Sequence, residues 1–234
     1  MNVDPVRAWL QRTLWDVVPR DHRESSTQLR RRQLVTLAVV VVGGAVLGVS
    51  LRIEPGSGWF YPATLGLALV WALGAIASGP LHLGREVHPS GHHVRPVVAP
   101  IVLGLALAGV FVVGALVVRQ IDFLDAYVRS VLAYADEGAV VLLVVVTVVN
   151  GIAEELFFRG AVYAAVTRHP VAVTTLAYTV ATLATGNVML GFAAILLGAV
   201  VGLQRRASGG ILAPILTHVT WSVSMLFALP LLFG

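Results

Sequence analysis

The sequence predicts an all-α, polytopic membrane protein with about seven transmembrane helices and an N-terminal amphipathic helix. Three observations carry this. Hydrophobic residues make up 57% of the 234-residue chain and charged residues only 12%, about half the usual charged share of a soluble domain. Seven apolar runs approach the ~20 residues a helix needs to cross the hydrocarbon core. The charges collect at the ends of those runs, where membrane orientation is set. A soluble fold of this size lacks the interior to hide so much apolar surface. Lipid removes the need to hide it.

The chain divides into a polar segment, 1–33, three spans with their loops, 34–137, and a C-terminal membrane core, 138–234. In the first, Asp4-Pro5 reads as a helix cap followed by proline at the first helical position. Val3, Val6, Leu10, Leu14, Val17 and Val18 recur at helical spacing, with Trp9 and Trp15 nearby. This stripe predicts a helix lying on the membrane surface, or packed on the protein's own loops. No secretory signal is visible.

The spans are expected at 34–51, 60–79, 97–118, 138–166, 171–186, 188–204 and 210–232. The fifth and sixth, separated by Gly186-Asn187, read as a tight helical hairpin or one broken helix. Spacings of small residues, such as Gly198 with Gly202, suit close helix packing. All 16 basic residues are Arg. Arg7, Arg12, Arg20, Arg23, Arg30, Arg31, Arg32, Arg85, Arg95, Arg168, Arg205 and Arg206 fall on one side of the membrane. Arg52, Arg119 and Arg129 fall on the other, and Arg159 lies within a span. The positive-inside rule then puts the N-terminus in the cytoplasm and the C-terminus outside. The expected location is a bacterial plasma membrane. Asp122, Asp125, Asp136 and Glu137 collect in an external loop.

A sequence pI near 10.1 invites a nucleic-acid reading, but arginines at span ends argue against one, and the lipid bilayer is the expected partner. The chain has no Cys, which excludes disulfides, thiolate metal sites and a cysteine nucleophile. His82, His88, His92 and His93 share one loop, where they read as a metal or pH-sensing site or as a solvated, His-rich loop.

The most informative stretch is Asn150 to Gly160. It carries Glu154, Glu155 and Arg159 inside a span, where each ionisable group costs about 2.5–3.5 kcal/mol to insert. Glu155 and Arg159 are four apart and can pair on one helix face. Glu154 is turned about 100° away and shares a face with Asn150. Two adjacent carboxylates in low dielectric resist ionising together. One pinned by Arg and one left free suits general-base chemistry; a buried pair stapling helices is the structural alternative. In the last span, His218 has Ser222 one turn on, with Thr217 and Thr220 beside it. It can meet Glu154, since both fall in the same half of the membrane.

Glu154-Glu155-Leu-Phe-Phe-Arg159-Gly160 resembles the EExxxR motif of the CPBP family, the CAAX prenyl proteases and bacteriocin-processing enzymes also called Abi. Gly209-Gly-Ile-Leu-Ala-Pro214-Ile-Leu-Thr-His218 resembles the family's closing phrase. The resemblance covers roughly 138–225. It implies an intramembrane endopeptidase in which Glu154 activates water, Glu155 and Arg159 support it, and His218 helps hold the oxyanion. Asn187 stands where the family's F-x-x-x-H motif has its His, and Ser222 where the closing Asn stands. Metal dependence follows only from a common family label, and the His ligands for zinc are too few; no cofactor is expected. The substrate class implied is a membrane-anchored peptide or protein. The alternatives are a catalytically impaired relative, acting as scaffold, chaperone or immunity factor for a membrane-protein partner, and a small transporter or channel subunit.

Overall fold

The hydrocarbon core offers no water to satisfy a backbone N–H or C=O, so a chain this apolar must fold as helices or a closed barrel. The structure, a computed structural model, describes residues 4–19, 24–50, 53–54, 56–88, 90–136 and 139–234 and is helical. Val3, Arg20, Arg23, Arg52, Glu137 and the side chain of Asp136 lie outside the described residues.

In order come α1 (Pro5–Leu10, continued by a π-helical turn Gln11–Trp15), α2 (Ser26–Ser50), α3 (Phe60–Ser78), a hairpin of β1 (Glu86–Val87) and β2 (His93–Val94), α4 (Val98–Val118) and α5 (Asp122–Asp136). Then follow α6 (Val140–Glu155), a π-helical stretch Leu156–Val162, α7 (Tyr163–Ala165), α8 (Pro170–Leu183), α9 (Val188–Ser208) and α10 (Leu212–Phe233). Among the described residues, six helical runs are long and apolar enough to cross a membrane: α2, α3, α4, the continuous run Val140–Ala165, α9 and α10. The shorter apolar α8 is the seventh expected span. Leu34, Leu37, Val41, Leu69, Ile76 and Val113 stay exposed, the side-chain distribution of an integral membrane protein whose outer face meets lipid.

The core lies between α2, α3, α6 and α8. Trp71 stacks on Phe157 with centroids 4.8 Å apart, and Phe158, Ala75, Ala161 and Tyr178 complete the cluster. α8 and α9 form a helical hairpin rather than one broken helix. Gly198 and Gly202 make its contact, since a Cβ on either would come within 3.1 Å of Thr175 or Val171. Small residues let backbones approach where lipid supplies no hydrophobic drive for helix association.

Asp4 caps α1, its Oδ1 accepting from Val6 N at 2.9 Å. The segment packs in part on the protein itself. Leu14 and Val18 are buried, with Val18 N donating to Ala207 O at the end of α9. Val6, Trp15 and Val17 remain exposed.

Two stretches read as loops are ordered. The acidic segment after α4 forms α5, whose Val128 and Leu132 pack with Ala115 and Phe233. Arg129 bonds Asp125 Oδ2 at 2.7 Å and the Phe233 carbonyl, and Tyr134 donates to Ile53 O at 2.7 Å. A one-sided stripe at Leu124, Val128, Val131 and Leu132 was the available signal. The His-rich segment contains the β1–β2 hairpin, with His88 Nδ1 2.6 Å from Ser90 Oγ. Among the described residues, no three His, Asp or Glu converge as metal ligands.

A backbone clasp ties the α3–β1 connection to the turn before α10. Ile211 N donates to His82 O at 2.9 Å, Leu212 N to Leu83 O at 3.0 Å, and Arg85 N to Ser208 O at 2.9 Å. The two strands of chain touch at Gly84 and Gly210, where a Cβ on Gly210 would lie 2.0 Å from Gly84 N. Backbone cannot swing aside as a side chain tip can. Gly210→Ala is therefore expected to destabilise the fold by about 3 kcal/mol, the upper part of the overpacking range. Gly44→Ala, which meets nothing within 4 Å, is expected to change little; thermal unfolding in detergent separates the two.

Candidate active site

The helix through Glu154 does not end where it meets the site; it widens. After Glu155 the chain runs through one π-helical stretch, Leu156–Val162. Such stretches mostly occur as single-turn bulges and often mark functional sites. Phe157 and Phe158 from this stretch wedge against Trp71, fixing it on the apolar side. On the other side, Arg205 Nε donates to the Arg159 carbonyl at 2.7 Å, and the Arg205 guanidinium stacks over Tyr163 at 4.9 Å.

Glu155 and Arg159 are fully buried, with side-chain exposures of 0% each. Arg159 Nη1 donates to Glu155 Oε1 at 2.9 Å. Its Nη2 donates to Gly198 O at 3.2 Å, and the guanidinium lies 4.9 Å over the Tyr178 ring. A Cβ on Gly198 would sit 3.2 Å from that Nη2, so a glycine here eases the close approach of α9 to the guanidinium.

The same Glu155 Oε1 contacts His218 Nδ1 at 2.7 Å. α6 and α10 come together at Gly151, where a Cβ would lie 3.4 Å from Val219 and 3.8 Å from His218 Cδ2. A carboxylate can only accept hydrogen bonds. The tautomer that satisfies this contact carries its proton on Nδ1 of His218 and leaves Nε2 for chemistry. It lies 4.0 Å from Glu154 Oε2. His218 thus meets both carboxylates, and the tighter contact is to Glu155 rather than to Glu154.

Glu154 differs from its neighbour in openness: its side chain keeps 21% exposure. The Tyr178 hydroxyl lies beside it and interacts with it electrostatically. The Tyr178 ring also sits edge-on to Phe158 at 5.1 Å and to His218 at 6.3 Å. Sequence reasoning missed Tyr178. A single phenol hydroxyl within the apolar run of α8 was the signal, but spacing within α8 says nothing of its register against α6.

Glu155, Arg159, His218 and Glu154 form one cluster, and Asn187 does not join it. Asn187 Oδ1 caps α9, accepting from Met189 N at 2.9 Å and Leu190 N at 3.0 Å. Its Nδ2 donates to Tyr127 O at 2.8 Å and Ser130 Oγ at 3.2 Å on α5. Both of its polar atoms are spent on holding helices. Ser222, one turn beyond His218, is half-buried and makes no side-chain hydrogen bond among the described residues. Asn150 bonds back to Val146 O at 2.9 Å, and Thr217 ties α10 to α4 through Pro100 O at 2.9 Å.

Asn187 lines an apolar groove of about 220 Å³ with Phe111, Met189 and Trp221. The donor set does not suit a hydrolytic zinc. Such sites take three protein ligands, whereas here one imidazole nitrogen faces one open carboxylate, and Glu155 Oε1 is committed to Arg159 and His218.

Removing one partner of a buried ion pair strands the other charge, at about 3–5 kcal/mol. Arg159→Leu is expected to lower stability by that amount in denaturation measurements. Asn187→Ala is expected to cost about 1 kcal/mol, the worth of a lost helix cap, in the same assay.

Comparison with known proteins falls on the same segment. Residues 136–224 match the family model described as Type II CAAX prenyl endopeptidase Rce1-like. No curated protein and no solved structure matches the chain. The match takes in Glu154, Glu155, Arg159, Tyr178 and His218, so residues 136–224 are similar to the Rce1-like type II CAAX prenyl endopeptidases.

Proposed function

We propose that this integral membrane protein is an endopeptidase that cuts a membrane-anchored peptide or protein with a water activated by Glu154. One observation carries the reading: Glu155 Oε1 is shared between Arg159 and His218, and this aims His218 Nε2 at Glu154, 4.0 Å away. That separation is short enough for one water off the line between them to hydrogen-bond both groups.

Charge balance favours one proton shared by Glu154 and His218. Two carboxylates and one guanidinium leave a single negative charge in a low-dielectric interior, and one proton on His218 or Glu154 cancels it. With the proton on His218, Glu154 is the base. Glu154 removes a proton from the water as its oxygen bonds the scissile carbonyl carbon. The oxyanion that forms accepts from His218 Nε2–H. Glu154 then passes its proton to the amide nitrogen, and the C–N bond breaks to give acid and amine. Glu155 and Arg159 are positioning residues, and the Tyr178 hydroxyl orients the Glu154 carboxylate. The arginine distribution supports a cytoplasmic N-terminus.

A second reading is a catalytically silent partner protein for another membrane protein. The full commitment of Asn187 to helix capping favours it, because the position of the family's middle His then contributes nothing to the reaction.

Purified protein in liposomes with a pool of membrane-anchored peptides separates the two. Under the peptidase reading, Glu154→Gln lowers kcat by about 10²–10⁴, the usual share of general acid–base catalysis, with unchanged thermal unfolding. Tyr178→Phe lowers kcat about tenfold, the worth of one hydrogen bond to a charged group. A biological role that survives Glu154→Gln, with no cleavage by either protein, supports the silent partner.

A further inference from the structure

A second cavity opens at the arginine-rich end of the bundle, away from the carboxylates. It encloses about 490 Å³ and is lined by His82, Arg85, His93 and Arg95, with Val18, Pro19, Leu81 and Leu83 as its apolar wall. Among the described residues, no Asp or Glu lines it. Glu86, its nearest acidic neighbour in sequence, lies instead in a separate small cleft with Arg12 and Arg85. Arg95 Nη1 donates to Gly84 O at 2.7 Å, which holds it at the rim. Arg85 is exposed, and no side-chain hydrogen bond engages it among the described residues.

The surroundings add a second chemistry. Leu83 is 48% exposed at the mouth. α1 and its π turn pack against the end of α9, and Val18 joins that turn to the cavity wall. Val6, Trp15 and Val17 of the same segment are exposed, as an interfacial helix requires. Cationic side chains beside exposed apolar ones, level with a membrane-surface helix, suit a ligand with an anionic head and an apolar tail.

We propose that this cavity binds the headgroup of an anionic phospholipid. The phosphate is held by Arg85, Arg95 and His93, and the acyl chains run along Leu81 and Leu83 into the bilayer. Basic pockets between transmembrane helices on the cytoplasmic side hold acidic headgroups in this way. The arginine distribution that sets the orientation of the chain also gives this end the leaflet where such lipids attract basic residues. The cavity shares no lining residue with the carboxylate cluster. It borders the backbone clasp at Gly84 and Ser208, which leads into α10.

The test uses the full-length protein purified in detergent, titrated with dioleoyl phosphatidylglycerol or dioleoyl phosphatidylcholine and read by native mass spectrometry. Phosphatidylglycerol adducts are expected to persist where phosphatidylcholine adducts do not. Arg85→Gln is expected to weaken retention about fivefold, the equivalent of one arginine near an anionic surface. His93→Gln serves as a second variant. Arg30→Gln, at an exposed arginine outside the cavity, is the charge-matched control and should leave retention unchanged. Equal losses in Arg85→Gln and Arg30→Gln would overturn the proposal in favour of diffuse charge attraction. So would equal retention of both lipids. Displacement of phosphatidylglycerol by millimolar inorganic phosphate would reassign the cavity to a free anion.

Discussion

One carboxylate oxygen organises the centre of this protein. Oε1 of Glu155 accepts from Arg159 and from His218 at once, and three helical segments converge on that point. The cluster is costly to bury, since ions lose several kcal/mol of hydration each. The Glu155–Arg159 ion pair at 2.9 Å and the His218 contact at 2.7 Å offset part of that cost. A cluster so placed contributes geometry more than stability. It fixes which nitrogen of His218 is free and where that nitrogen points.

The scaffold serves that geometry through close approach. Gly151 lets α10 reach α6, and Gly198 lets α9 present its carbonyl to Arg159. The π-helical stretch carries Arg159 on a widened turn, held by Phe157 and Phe158 on one flank and by Arg205 on the other. Lipid-facing residues impose little on this arrangement beyond being apolar. The information in the chain is therefore concentrated where helices touch, in glycines, aromatic rings and the few ionisable groups.

That concentration explains how much could be read in advance. The spans were legible because a 20-residue apolar run has few other outcomes. The Glu155–Arg159 pair was legible because their four-residue separation fixes their relation on one helix. The partner of His218 was not, since spacing along α10 leaves its register against α6 open; Glu155 holds it more closely than Glu154 does. Tyr178 escaped for the same reason. Asn187 was read as a stand-in for a reactive residue because it occupies a motif position, whereas its sequence context, just before an apolar run and after Gly186, equally marks a helix cap. α5 was passed over as an acidic loop because its charges drew more notice than its apolar stripe. The family match covers the segment that carries the motif.

The central claim is that Glu155 fixes the His218 tautomer and so frees Nε2 toward Glu154. Nitrogen-15 NMR of histidine-labelled protein tests it without any substrate. The account predicts a proton bound to Nδ1 of His218, in a strong hydrogen bond that is lost in Glu155→Gln while the protein stays folded. An unprotonated Nδ1, or an Nδ1 signal indifferent to Glu155→Gln, would contradict it.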